Sequence, residues 1–103
     1  MMTHKTQKTL DTLAKYTPPF TLGSLILSIR QGEELSQVEF ANLLGISKQY
    51  LCDIEHERRS ISPKAAENFA KKLGYSPEQF MRLCLQDLLR KDGFAFSVEL
   101  KAA

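Results

Sequence analysis

The chain has 103 residues, 43% hydrophobic and 25% charged, with a formal net charge of +2. That length suits one domain with one core and leaves little room for an enclosed active site. The near-balanced charge excludes a globally basic protein, so any nucleic-acid reading must rest on where the cations sit.

In chain order, Thr3 to Tyr16 places Leu10, Leu13 and Ala14 at weak helical spacing among Lys5, Lys8 and Lys15. "TPPF" at 17–20 interrupts it, because each proline disfavours helical geometry in the residue before it. Residues 1–19 therefore read as an N-terminal arm or loose helix. Thr21 caps a helix carrying Leu22, Leu25, Ile26 and Ile29 on one side, and Gly32 stops it. Ser36 with Glu39 makes a capping box for a second helix, whose buried side is Phe40, Leu43 and Leu44. Gly45 stops that helix. Ser47 caps a third, with Leu51 and Ile54 inward. Ser62 and Pro63 open a fourth, the proline standing where its missing N–H does no harm. Its stripe is Ala66, Phe69, Ala70 and Leu73, and Gly74 ends it. Ser76 and Pro77 open a fifth, with Gln79 completing another capping box.

The fifth helix has one stripe of Phe80, Leu83 and Cys84 and a second of Met81, Leu85, Leu88 and Leu89. An apolar surface on more than one face points to a contact beyond the helix's own core. After Gly93 the period changes to two. Phe94, Phe96, Val98 and Leu100 alternate with Ala95, Ser97 and Glu99, which predicts a strand over 93–103. A lone strand leaves its backbone groups unpaired. A two-fold copy of the same segment would pair with it and bury its apolar side against the fifth helices, so the strand predicts a homodimer.

The second and third helices are joined by a short turn that contains a glycine, which makes the pair meet steeply. The turn needs a residue that tolerates positive φ at position 45. A small residue, Ala41, sits where the two axes come close, and Phe40, Leu44, Ile46, Leu51 and Ile54 are apolar where the pair buries surface. With Leu35-Ser36-Gln37, Phe40-Ala41, Leu44-Gly45-Ile46-Ser47, Leu51 and Ile54-Glu55 in register, residues 22–74 resemble the Xre-type helix-turn-helix domain of the lambda-like repressors and Cro proteins.

The resemblance, from the first helix through the fourth, implies a helical DNA-binding domain whose third helix enters the major groove. With the fifth helix read from the stripes above, the expected fold is an all-α, five-helix domain over residues 20–92. The resemblance also implies that Lys48 and Gln49 read base edges, with Ser47 opening the helix and Asp53 one turn later facing the same groove. Gln49 can pair with adenine, Lys48 with guanine, and Asp53 can accept from cytosine N4. Gln37 matches a residue that holds a phosphate and supports the reading helix. Tyr50 packs beside the backbone or bonds a phosphate. Arg30 and Glu55 match an ion pair between helices one and three, and Arg58 and Arg59 match backbone-contacting positions. The sequence departs from the family at His56-Glu57, where a glycine turn is usual, and Asp53 and Glu57 bring negative charge toward phosphates.

Other classes find little support. No Gly-rich phosphate loop, nucleophile–base set or paired carboxylates point to an enzyme. Cys52 and Cys84 fit no metal spacing and read as reduced thiols, so no metal or cofactor is expected. No run approaches the roughly 20 apolar residues that span a bilayer, and the first sixteen residues lack a signal-peptide core, so the cytoplasm is the expected compartment. The reading is a sequence-specific transcriptional regulator, a repressor, with duplex DNA as partner. The alternatives are an antitoxin that binds both operator DNA and a toxin protein, and a protein–protein adaptor that binds no DNA.

Overall fold

The computed structural model describes residues 20–103, so the expected N-terminal arm lies outside the described residues. Five helices follow one another: α1 Leu22–Gly32, α2 Gln37–Leu44, α3 Lys48–Glu55, α4 Pro63–Leu73 and α5 Pro77–Lys91. Each begins on a hydroxyl. Thr21, Ser36, Ser47, Ser62 and Ser76 accept from the backbone N–H three residues on, which satisfies a donor left over at every helix start. The Ser36–Glu39 box is reciprocal. Thr21 forms an unexpected box with Ser24. Ser76 accepts from the Gln79 backbone, without the return bond that would complete the expected box.

The helix ends share one backbone device. A left-handed residue follows each helix, and two backward hydrogen bonds close the last turn, as in the Schellman arrangement. Gly45, Gly74 and Gly93 supply that residue for α2, α4 and α5, but Glu34 and Glu57 supply it for α1 and α3, at φ 58° and 57°. The stop after α1 is therefore Glu34 rather than Gly32, which stays helical. The exit from α3 turns on Glu57 in the place where the family favours glycine.

The buried side chains converge on one core. Leu22, Leu25, Ile26 and Ile29 of α1 meet Phe40, Ala41 and Leu44 of α2, Leu51 and Ile54 of α3, Ala66, Phe69, Ala70 and Leu73 of α4, and Phe80, Leu83 and Cys84 of α5. Leu43, expected among them, is exposed, because it lies beside the stripe formed by Phe40, Ala41 and Leu44. α1 crosses the end of α3 at backbone distance. A Cβ on Gly23 would collide with the Ile54 carbonyl oxygen, so glycine is required there. Two polar side chains tie helix ends across the fold. Asp87 of α5 accepts from the Leu22 backbone N–H at 3.0 Å. Lys72 of α4 donates to the Leu44 carbonyl at 2.9 Å. Each places charge where the helix dipole favours it.

The expected C-terminal strand is absent. Among the described residues there is no strand, and the fold is helical throughout. The alternating segment runs along α5, where the Gln86 side-chain amide donates to the Phe96 carbonyl at 2.6 Å and accepts from the Val98 N–H at 2.8 Å. One amide thus satisfies two backbone groups that a neighbouring strand would otherwise take. A ladder requires a second backbone, and the single chain supplies a side chain instead. Nor are the apolar residues buried as expected, since Phe94 and Phe96 are 52% and 67% exposed and stack on each other.

Candidate nucleic-acid interface

The outward face of α3 follows from its inward one. Leu51 and Ile54 are fully buried and Glu55 nearly so. At helical spacing this turns Lys48 and Gln49 to solvent and leaves Tyr50, Cys52 and Asp53 half-buried at the margin. The inner side is held by a polar cluster. Arg30 reaches Glu55 with two bonds, Nε to Oε2 at 2.6 Å and Nη2 to Oε1 at 3.1 Å. Arg30 also donates to the Leu35 carbonyl, and Gln37 Nε2 donates to Glu55 Oε1 at 2.9 Å. One carboxylate therefore joins α1, the start of α2 and the end of α3.

On the outer side a second carboxylate gathers partners. Asp53 Oδ1 accepts from Gln49 Nε2 at 3.0 Å and from Arg58 Nε and Nη2 at 3.1 and 2.9 Å. The Arg58 guanidinium is the main cause that lowers the Asp53 carboxyl below its ordinary value, and the Gln49 amide adds to it. In turn, Asp53 raises Arg58. Arg58 Nη2 also lies 3.4 Å from the Cys52 sulfur. Arg59 lies over the Tyr50 ring, 4.4 Å from its centroid, and that ring packs edge-on against Phe69 of α4. The patch is a short helix bearing an amide and an ammonium, with two guanidiniums folded onto it from the exit loop. Such an array can donate to base edges and to phosphate oxygens.

A helix-turn-helix family model matches residues 26–80, more than half of the chain, and it spans α2, the turn, α3, α4 and most of α1. The chain belongs to the Xre-type helix-turn-helix family. No curated protein and no solved structure gives a significant match. Membership makes this a DNA-binding regulatory domain. Among the described residues, no helix is long and apolar enough to cross a membrane, and no group of three or more His, Cys, Asp or Glu could hold a metal ion.

Within this Xre-type domain, Ser47, Lys48, Gln49, Tyr50, Asp53, Arg58 and Arg59 fall in one continuous patch along α3 and its exit loop. The Ser47 hydroxyl accepts from the Tyr50 N–H as a helix cap. Lys48 has no partner among the described residues. Gln37 stands apart, because its side-chain nitrogen is turned inward to Glu55. Sequence reasoning missed the closure of Gln49 and Arg58 onto Asp53. Gln49 and Asp53 are four apart on a helix, so that bond had a signal. The Arg58 contact had none, because its direction is set by the left-handed turn at Glu57.

Proposed function

We propose that this chain is a sequence-specific transcriptional repressor that binds duplex DNA as a homodimer. The observation that carries the reading is the solvent-facing side of α3, where Lys48 and Gln49 are exposed while the opposite side is locked into the core by Leu51, Ile54 and Glu55. A helix so anchored presents its side chains to the major groove at a fixed angle. Gln49 and Lys48 are the base readers, through bidentate bonds to adenine and donation to guanine. Arg58 and Arg59 are the phosphate contacts, with Tyr50 supporting Arg59. Gln37 acts from below, by holding Glu55 and so the end of α3.

A homodimer follows from reach. One recognition helix spans few base pairs, and two copies read half-sites about 34 Å apart. The exposed Leu88, Phe94 and Phe96 provide apolar surface for a protein contact. Occupation of an operator by such a dimer blocks transcription without further chemistry. The test is selection of bound sequences from a random duplex library at several salt concentrations. A two-fold symmetric consensus and affinity that falls with salt are expected. Binding to no duplex at any salt would leave the domain a protein–protein adaptor.

A further inference from the structure

We infer that Asp53 is a specificity-determining residue that holds the base reader Gln49 and the phosphate contact Arg58 closed on the protein, so that docking on a duplex requires their release. This rests on the DNA-binding reading above. Three donor atoms from two side chains converge on one carboxylate oxygen, with all three distances between 2.9 and 3.1 Å. The carboxylate thus occupies in the free protein the place that a phosphate oxygen would take beside Arg58 and a base edge would take beside Gln49. The ion pair is half in water, with Arg58 52% and Asp53 24% exposed in their side chains. Exposed pairs are weak, so the closure acts as a brake that a duplex can release.

Release has different consequences at different sites. A phosphate is available to Arg58 on any duplex. Gln49 gains a partner only where an adenine edge stands opposite. At a wrong site Gln49 stays on Asp53, and the carboxylate remains in the groove near phosphates without its arginine. At a matched site Gln49 leaves as well, and the carboxylate stands near phosphates with neither partner. Asp53 therefore imposes a larger cost on the matched duplex and narrows the margin between right and wrong sites. Arg59 has no such release to make from a carboxylate, because it rests on the Tyr50 ring.

The experiment titrates wild type, Asp53→Ala, Arg58→Ala and the double variant against a selected duplex and a scrambled one at several salt concentrations. Asp53→Ala should tighten binding to the scrambled duplex by about two- to fivefold, the range for release of an exposed ion pair. It should gain more on the selected duplex, where Gln49 as well as Arg58 must leave the carboxylate, so discrimination rises. The slope of log affinity against log salt should steepen by up to about 0.9 as Arg58 engages a phosphate fully. In the Arg58→Ala background most of that gain and the steepening should vanish. An equal gain in both backgrounds would reduce Asp53 to simple repulsion and overturn the proposal. Loss of affinity for the selected duplex alone would make Asp53 a base reader and overturn it equally. Absence of duplex binding by the wild type would overturn the DNA reading itself. That result is distinct, because Asp53 titration by NMR in the free protein would still move toward its ordinary value in Arg58→Ala.

Discussion

Arg30 and Glu55 meet as a two-point ion pair whose carboxylate is almost wholly removed from water, with 2% of the Glu55 side chain exposed against 16% of Arg30. The asymmetry decides which variant costs more. Arg30→Met strands a buried carboxylate that keeps only Gln37, and should cost about 3–5 kcal/mol. Glu55→Gln keeps an acceptor for Arg30 and leaves the cation nearer water, so its cost should be smaller. The double variant should recover part of the loss. Thermal or urea unfolding of the three variants measures this, and strictly additive losses would show that the two side chains are not coupled.

Base reading and phosphate contact separate by their salt dependence. Gln49→Ala should cost about 1–3 kcal/mol on the selected duplex and relax preference at one base pair. Lys48→Ala should do the same at a neighbouring pair. Arg59→Ala should weaken binding to all duplexes alike and reduce the salt slope by about 0.9. Fluorescence titrations against selected and scrambled duplexes distinguish these, and equal weakening on both by Gln49→Ala would remove it from the reading set.

Much of this architecture is legible in the sequence. Hydroxyl residues mark every helix start because a cap is a local event that needs one side chain and three following residues. The stripes of α1 and α4 are legible because burial repeats with the helix period. Leu43 misleads, since it borders the stripe and composition alone does not say how wide the buried face is. The tail misleads for a deeper reason. Alternation from Phe94 to Leu100 reports an extended backbone, not what pairs with it, and Gln86 lies ten residues before its partner on another element. In the patch, residue types and positions are legible, but the closure on Asp53 depends on the turn at Glu57, which has no glycine to announce it.

That turn makes a third expectation. Glu57 sits at φ 57°, a conformation that costs a side-chain-bearing residue roughly 1–2 kcal/mol. Glycine removes that strain but adds freedom to the unfolded chain, worth roughly 0.5–1 kcal/mol. Glu57→Gly should therefore stabilise the domain by up to about 1 kcal/mol, raising its melting temperature. Gly45→Ala should do the reverse, because φ there is 74° and the new methyl would meet the Lys72 ammonium. Calorimetry on both variants gives the signs, and a lower melting temperature for Glu57→Gly would show that its side chain contributes more than its strain removes.

Asp87 gives the domain a pH dependence. Burial raises its carboxyl above the ordinary value, against the lowering effect of the Leu22 N–H and Arg90. With the folded value above the unfolded one, the folded state holds the proton more tightly. The contribution of this group to stability is therefore greatest below the ordinary carboxyl range and declines as pH rises through the folded value. Asp87→Asn cannot titrate. The stability difference between variant and wild type should shift in the variant's favour from about pH 4 to about pH 7. Urea unfolding across that range reads it, and a constant difference would show that burial does not govern the carboxyl.

Gly23 against the Ile54 carbonyl is a contact of main chain with main chain, and it has a consequence for how such a protein changes over generations. The tilt of α3 is indexed by two backbones that touch, while the apolar side chains around them fill volume. Leu, Ile and Phe can be exchanged within the core at a modest cost in stability, leaving the aim of the helix where it was. If Lys48 and Gln49 read bases as proposed, drift in the core is decoupled from the choice of target, and new targets would come from exchanging those exposed residues. A methyl at position 23 would do the opposite. It would keep the identity of every exposed residue and shift the helix that carries them.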